Sequence, residues 1–226
     1  MARLARAVAA GVPHHVTQRG NRRQQVFFRD DDYAVYGGLL AEGCRAAGVA
    51  IWAYCLMPNH VHLILVPSDE GGLRAALAEA HRRYTRHVNF REGWRGYLWQ
   101  GRFASFAMDE AYLLACARYV ELNPVRAGLT QRPGDWLWSS ARAHLAGRDD
   151  AVVSAGPLLD LVPDWRGFLD GGLSGAERDA IRAAERTGRP LGSEAFTARL
   201  ETRLGRTLAR QKPGPKAAMV DNARRR

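Results

Sequence analysis

Among the 226 residues, the pattern richest in potential chemistry is Asn59-His60-Val61-His62-Leu63. On a β-strand, side chains alternate between faces, so His60 and His62 project from one face, one pleat apart. Two imidazoles at that spacing can hold one divalent ion, or can form a hydrogen-bonded, partly buried pair. A second pattern is Ala117-Arg-Tyr-Val-Glu-Leu-Asn-Pro-Val-Arg-Ala-Gly128. On a helix, Tyr119 and Asn123 stand four residues apart and share a face, which brings a phenol beside an amide. The amide oxygen could complete a His-His-O site with positions left open for phosphate oxygens. Such coordination suits magnesium or manganese, and imidazole also admits zinc. The competing reading of the same residues is a core tyrosine beside a helix-terminating Asn-Pro.

The elements that must position these groups follow from periodicity and punctuation. His14–Arg19 reads as a strand, followed by a basic polar loop with Arg19, Asn21, Arg22 and Arg23. Asp30 to Asp32 supply capping carboxylates for a helix through Tyr36, Leu40 and Cys44 that Gly48 stops. Residues 48–67 carry no charge over a length that could cross a bilayer, yet Pro58, Asn59, His60 and His62 stand at its middle. Two strands, Val49–Met57 and His60–Val66, joined by a Met-Pro-Asn turn, explain the stretch better. The second is apolar on both faces and so belongs in the middle of its sheet. A helix follows over Leu73–Val88, with Leu73, Leu77, Ala80, Tyr84 and Val88 in one stripe. A Gly- and Trp-rich segment, Gly93–Gly101, leads to a strand at Arg102–Met108 and a helix at Ala111–Leu122 that Pro124 ends.

The order βαββαβ then helix predicts an α+β fold: a ferredoxin-like or RRM-like antiparallel sheet with helices on one face. Its domain, residues 1–145, precedes a mainly helical extension over 146–205 and a basic, flexible tail over 206–226. After about residue 130, Trp136, Trp138 and Trp165 stand in a segment punctuated by Gly and Pro that is expected to pack on the first domain. Ser174-Gly-Ala-Glu177 forms a capping box and Ser193 caps a second helix. That pair reads either as plain packing or as a helix-turn-helix.

Lys+Arg number 33 against 23 Asp+Glu, giving +10 and a pI near 10.2, a bias toward polyanions. All but two of these basic residues are arginine, so enrichment alone says little and clustering says more. More than half of the net charge lies in residues 206–226, which hold Arg206, Lys212 and Lys216. Cys44, Cys55 and Cys116 are odd in number and widely spaced, which excludes a disulfide framework and fits a reducing cytoplasm. No transmembrane segment or secretory leader is read.

The motifs taken together resemble a known family. His60-Val-His62 with apolar flanks, then Trp99-Gln-Gly-Arg-Phe103, then Tyr119 to Gly128, look like the single-tyrosine HuH transposases, and within them the REP-associated tyrosine transposases. The resemblance spans roughly residues 10–145. It implies metal-dependent cleavage and rejoining of single-stranded DNA, with hairpins or palindromic repeats, through a 5′-phosphotyrosine link. It implies His60 and His62 as metal ligands for Mg or Mn, Tyr119 as nucleophile, and Asn123 in a place where related enzymes use Gln or Asn. Nothing catalytic carries over beyond residue 145. DNA contacts are expected from Arg19, Arg22, Arg23, Arg82, Arg83, Arg86, Lys212 and Lys216. Trp99, with Trp94 and Tyr97, is expected to stack on bases. Tyr84 is a decoy nucleophile, because its apolar stripe turns it toward the sheet. The expected protein is a cytoplasmic, nucleoid-associated monomer or homodimer without a membrane partner. The alternatives are a relaxase or replication initiator with the same histidines, a non-catalytic DNA-binding regulator on this fold, and, more remotely, a zinc hydrolase.

Overall fold

A computed structural model describes residues 5–209. Four strands form one antiparallel sheet in the order β2-β3-β1-β4: β1 His14–Arg19, β2 Val49–Met57, β3 His60–Pro67 and β4 Ala104–Ala107. This is the ferredoxin-like order, and β3 is central, as its two apolar faces require. Pro58 and Asn59 close the tight turn between β2 and β3, with Met57 paired to His60. The uncharged stretch is therefore a hairpin. Among the described residues, no helix is long and apolar enough to cross a membrane.

Period-two alternation sorts the sheet residues into two cores. Val61, Leu63 and Leu65 of β3 meet Val16, Leu40, Leu73, Leu77 and Tyr84 on one face. There lie the crossover helices α1 (Asp30–Ala46) and α2 (Gly72–Glu92). The Asp32 carboxylate accepts from the backbone N–H groups of Phe28 and Arg29, capping α1, and also binds Arg91 near the end of α2. Tyr84 is wholly buried on this face and its hydroxyl donates to the carbonyl of Val26 at 2.7 Å.

The second face carries Ile64, Cys55 and Phe106 from the sheet. On this side lie α3 (Glu110–Glu121) and the short α4 (Asn123–Arg126), then α5 (Ala141–Leu145), α6 (Gly156–Leu159), α7 (Trp165–Asp170) and α8 (Gly175–Thr187), while α9 (Glu194–Leu204) joins a third, smaller cluster with Ala7, Ala9 and Ala107. Asp109 caps α3 by accepting from Tyr112 N–H, and Pro124 stands in the first turn of α4, where its missing N–H is harmless. Ser174 and Glu177 form the expected capping box on α8, and Ser193 caps α9.

Beyond the first 145 residues the chain is stitched to both sheet edges. Leu191 bonds Ala107 and Asp109 beside β4, and Ser154 bonds Ile51 of β2, next to the bonds that the preceding residues Trp138 and Ser140 make to Leu56 and Tyr54. Below the second face, Glu121 accepts hydrogen bonds from Ser140 Oγ (2.6 Å), His144 Nδ1 (2.6 Å) and Trp165 Nε1 (2.8 Å), all fully enclosed. A buried carboxylate is tolerable only with such donors. The three cysteines are free and buried. The expected tail starts later than residue 206, because Leu208 is buried and Glu201 accepts from the N–H groups of Leu208 and Ala209. Lys212 and Lys216 lie outside the described residues.

Candidate active site

Strand alternation puts His60 and His62 on the second face of the sheet, with ring centroids 4.9 Å apart and nearly perpendicular. Asn59 Oδ1 lies 2.6 Å from His60 Nδ1, so this nitrogen carries the proton and Nε2 is the free lone pair. Burial pushes His60 down to about 4, helped by the charges of Arg19 and Arg126, and drives His62 well below its usual range. Both rings are thus neutral at physiological pH, the form that binds metals.

Helix α3 brings Tyr119 to the same place. Its ring meets that of His62 at 5.5 Å and that of His15 at 6.1 Å, edge to face in both cases. The Arg126 guanidinium lies over the other side of the ring, 4.2 Å from its centroid, and bonds the Tyr119 carbonyl at 2.8 Å. Burial raises the phenol pKa, as does the carboxylate of Glu185, against the pull of Arg126 and of a hydrogen bond from Arg182. The phenol is therefore protonated at neutral pH and needs cationic help to attack. Asn123 follows one turn later, buried at the start of α4.

Two residues that the sequence reading did not place are also here. His15, on β1, stands beside His62, with Nε2 3.0 Å from His62 Nδ1. Glu185, on α8, brings Oε1 to 3.7 Å from His62 Nδ1 and 3.8 Å from His15 Nδ1. Together His15, His62 and Glu185 form a cluster tight enough to hold a cation. The extension thus reaches these histidines through Glu185, in a segment onto which the family resemblance carries no catalytic residue. No local signal marks Glu185, which reads as one charge among several on an amphipathic helix. The His14-His15 pair at the head of β1 was the one visible hint.

A divalent ion fits these donors. His60 and His62 are neutral imidazoles on one face beside Tyr119, and Nε2 of His60 is a free lone pair, the donor chemistry that a divalent ion takes.

The basic loop flanks this end of the sheet. Arg19 pairs with His60 across the β1–β3 ladder, and Gly20 N–H bonds the Asn59 carbonyl at 2.8 Å. A Cβ on Gly20 would lie 2.2 Å from the Gln24 carbonyl oxygen, so only glycine admits this turn. Arg22 and Arg23 follow, exposed, with φ of 54° and 62°. Consecutive non-glycine residues in the left-handed region are strained, a mark of a constrained loop. The other expected contacts are placed differently. Arg82, Arg83 and Arg86 lie on α2, across the sheet from Tyr119, and the first two pair with Glu79 and Glu42. Trp99 is 6% exposed and packs against Tyr36, His81 and Tyr84, so it does not stack on bases. Its large apolar ring fills the core better than it serves the surface. Tyr97 and Phe90 are the exposed rings nearby in sequence, and Trp94 is half exposed.

A family model described as transposase, IS200-like, matches residues 10–123, about half of the chain. No curated protein matches it. Among solved structures, that of a REP-associated tyrosine transposase bound to a REP hairpin superposes with a TM-score of 0.52 at 22% identity, covering 68% of this chain and 92% of the other. A crystal structure from Deinococcus radiodurans R1, described as a transposase, gives 0.38 at 20% identity over 53% of this chain and 96% of its own. The second likeness is too low to bear on the fold. The first agrees with the sheet and helices just described. The matched span holds β1 to β3 and both His60 and His62, and it reaches past Tyr119 to Asn123. The chain belongs to the IS200-like transposase family, whose members are DNA-processing enzymes.

Proposed function

We propose that this transposase is of the REP-associated kind and that it cleaves and rejoins single-stranded DNA bearing a hairpin or palindromic repeat. The observation that carries the reading is the convergence of His60, His62 and Tyr119 on one sheet face, with His62 and Tyr119 rings 5.5 Å apart. In the reaction, Tyr119 Oη bonds to the scissile phosphorus as the P–O3′ bond breaks. The product is a 5′-phosphotyrosine and a free 3′-hydroxyl that takes up the proton. Attack by a 3′-hydroxyl on the same phosphorus reverses these changes and rejoins DNA without an external energy source. His60 and His62, with Asn123 as a third donor, would hold Mg or Mn. When bound, that ion polarises the phosphate and offsets the charge that builds in the transition state. Arg126 and Arg182 hold the phenol, and Arg19, Arg22 and Arg23 line the approach with positive charge. Tyr97 and Trp94 offer stacking faces for unpaired bases. DNA processing of this kind implies a cytoplasmic, nucleoid-associated protein.

His60→Ala and His62→Ala should each abolish divalent-dependent nicking of a hairpin single strand while leaving binding within a fewfold, since arginines supply the affinity. Nicking assays and gel shifts with the same oligonucleotide separate the two effects. Undiminished, metal-dependent nicking by the double variant would remove these histidines from the site.

The division into a catalytic part, a helical extension and a basic tail is likewise proposed, with the tail beginning after Ala209. Residues 210–226 carry six basic residues against Asp221. Deleting them should weaken DNA binding and flatten the log–log salt dependence by about 3 to 4, at roughly 0.7 per single-strand phosphate neutralised. Equal salt slopes for the two proteins would show that the tail does not touch DNA.

A further inference from the structure

Two buried polar atoms behind the histidine pair lack partners: Nδ1 of His15 and Oε1 of Glu185. They face each other at 3.8 Å, and Oε1 is also 3.7 Å from Nδ1 of His62. The His15 and His62 ring planes are parallel to within 3° with centroids 5.2 Å apart, and His15 Nε2 is 3.0 Å from His62 Nδ1, so the two nitrogens lie nearly on the line between the centroids. That is the geometry of an in-plane N–H···N hydrogen bond, in which one nitrogen must donate and the other accept. The direction of the bond is what matters, because it decides whether His62 Nε2 carries a proton or a lone pair.

The carboxylate fixes the direction. In its ionised form Glu185 only accepts, so the His15 proton that faces it stands on Nδ1. His15 Nε2 is then an acceptor, and the His62 proton stands on Nδ1. A lone pair is left on His62 Nε2. Glu185 is 22% exposed, free enough for a shift of roughly 1 Å to bring Oε1 to charge-assisted hydrogen-bond distance. We propose that Glu185 and His15 form a relay that sets the tautomer of His62, so that both HuH histidines present Nε2 to the metal. Asn59 performs the same service for His60 through its 2.6 Å contact with Nδ1. Glu185 and His15 are positioning residues in this scheme, and neither touches the ion. The carboxylate comes from α8, so the C-terminal extension sets the metal affinity of a site whose histidines lie on the sheet.

The inference rests on the reading that His60 and His62 hold the ion, and the test separates the two. Mn²⁺ is titrated calorimetrically into the full-length metal-free protein, its Glu185→Gln and Glu185→Ala variants, and a His60→Ala control. The tautomer of His62 is read from its imidazole ¹⁵N shifts. The expected result is 10- to 100-fold weaker Mn²⁺ binding in both Glu185 variants, the usual cost of losing an outer-shell partner. It is accompanied by partial transfer of the His62 proton from Nδ1 to Nε2. Gln is informative because its amide can donate to His15 and so permits the reversed chain. Mn²⁺ affinity unchanged by His60→Ala would overturn the underlying metal reading. Binding lost in that control, but kept within twofold and with an unchanged His62 tautomer in the Glu185 variants, would overturn the relay alone. Binding abolished by Glu185→Gln with the tautomer intact would make Glu185 a direct ligand and also overturn the relay.

Discussion

Tyr119→Phe should reduce cleavage of a hairpin single strand to background and eliminate the covalent protein–DNA adduct, with DNA binding and melting temperature nearly unchanged. The substitution removes one oxygen, and that oxygen is the only one of the residue able to form the bond to phosphorus. Its hydrogen bond from Arg182 is also lost, at a cost of about 1 kcal/mol against an otherwise preserved ring packing between His62 and Arg126. The control is Tyr84→Phe, which removes the 2.7 Å bond to the Val26 carbonyl on the far side of the sheet and should leave cleavage intact. Peptide mapping of the trapped adduct decides between them. A nucleotide found on Tyr84, or an adduct persisting in Tyr119→Phe, would show the assignment of the nucleophile to be wrong.

Acid should destabilise the metal-free protein sharply. Burial holds His14 and His60 at about 4, His15 and His81 at about 3, and His62 well below its usual range. Each therefore stays neutral in the fold, yet takes up a proton on unfolding once the pH falls below about 6.5. The unfolded state binds more protons throughout that window, so stability is full above it and declines as pH falls toward the folded-state values. Each such group contributes up to about 1.4 kcal/mol per pH unit. Glu185 works in the opposite sense, since burial raises it to about 7 and the fold holds its proton more firmly than the unfolded chain. One carboxylate offsets one histidine and leaves the others. Melting temperatures at pH 7.5, 6 and 5 test this, and a flat profile would show that the buried rings are not held neutral.

Legibility in the sequence followed the range of the physics involved. The strands β1 and β2 could be bounded at His14–Arg19 and Val49–Met57 because alternation, a Pro-Asn turn and flanking glycines are local signals. The same holds for the Ser174 capping box, whose donors and acceptors lie three residues apart. The pairing of His60 with His62 follows from strand geometry alone. His15 and Glu185 escaped because their contacts to His62 join β1, β3 and α8, and no spacing encodes an encounter across 47 residues or more. Trp99 was misread for a related reason. A tryptophan in a Gly-rich stretch looks like a surface ring, and only the closing of α1 and α2 over it makes it core. The place of the α2 arginines was hidden in the same way, since composition shows a basic helix but not which face of the sheet it covers.

Glu121 sits two residues after Tyr119, and its partners Ser140, His144 and Trp165 come from later in the chain. The stretch that gives the family its recognisable signature thus also holds a lock whose key is cut elsewhere. Grafting a distant relative's chain beyond residue 130 onto the part that carries Glu121 would strand an anion in apolar surroundings unless the donor brought equivalent hydroxyl, imidazole and indole groups. Descent of the two parts is tied by that constraint. Recombination among such genes should preserve the acid and its three donors as a set, or lose all four together to an apolar replacement.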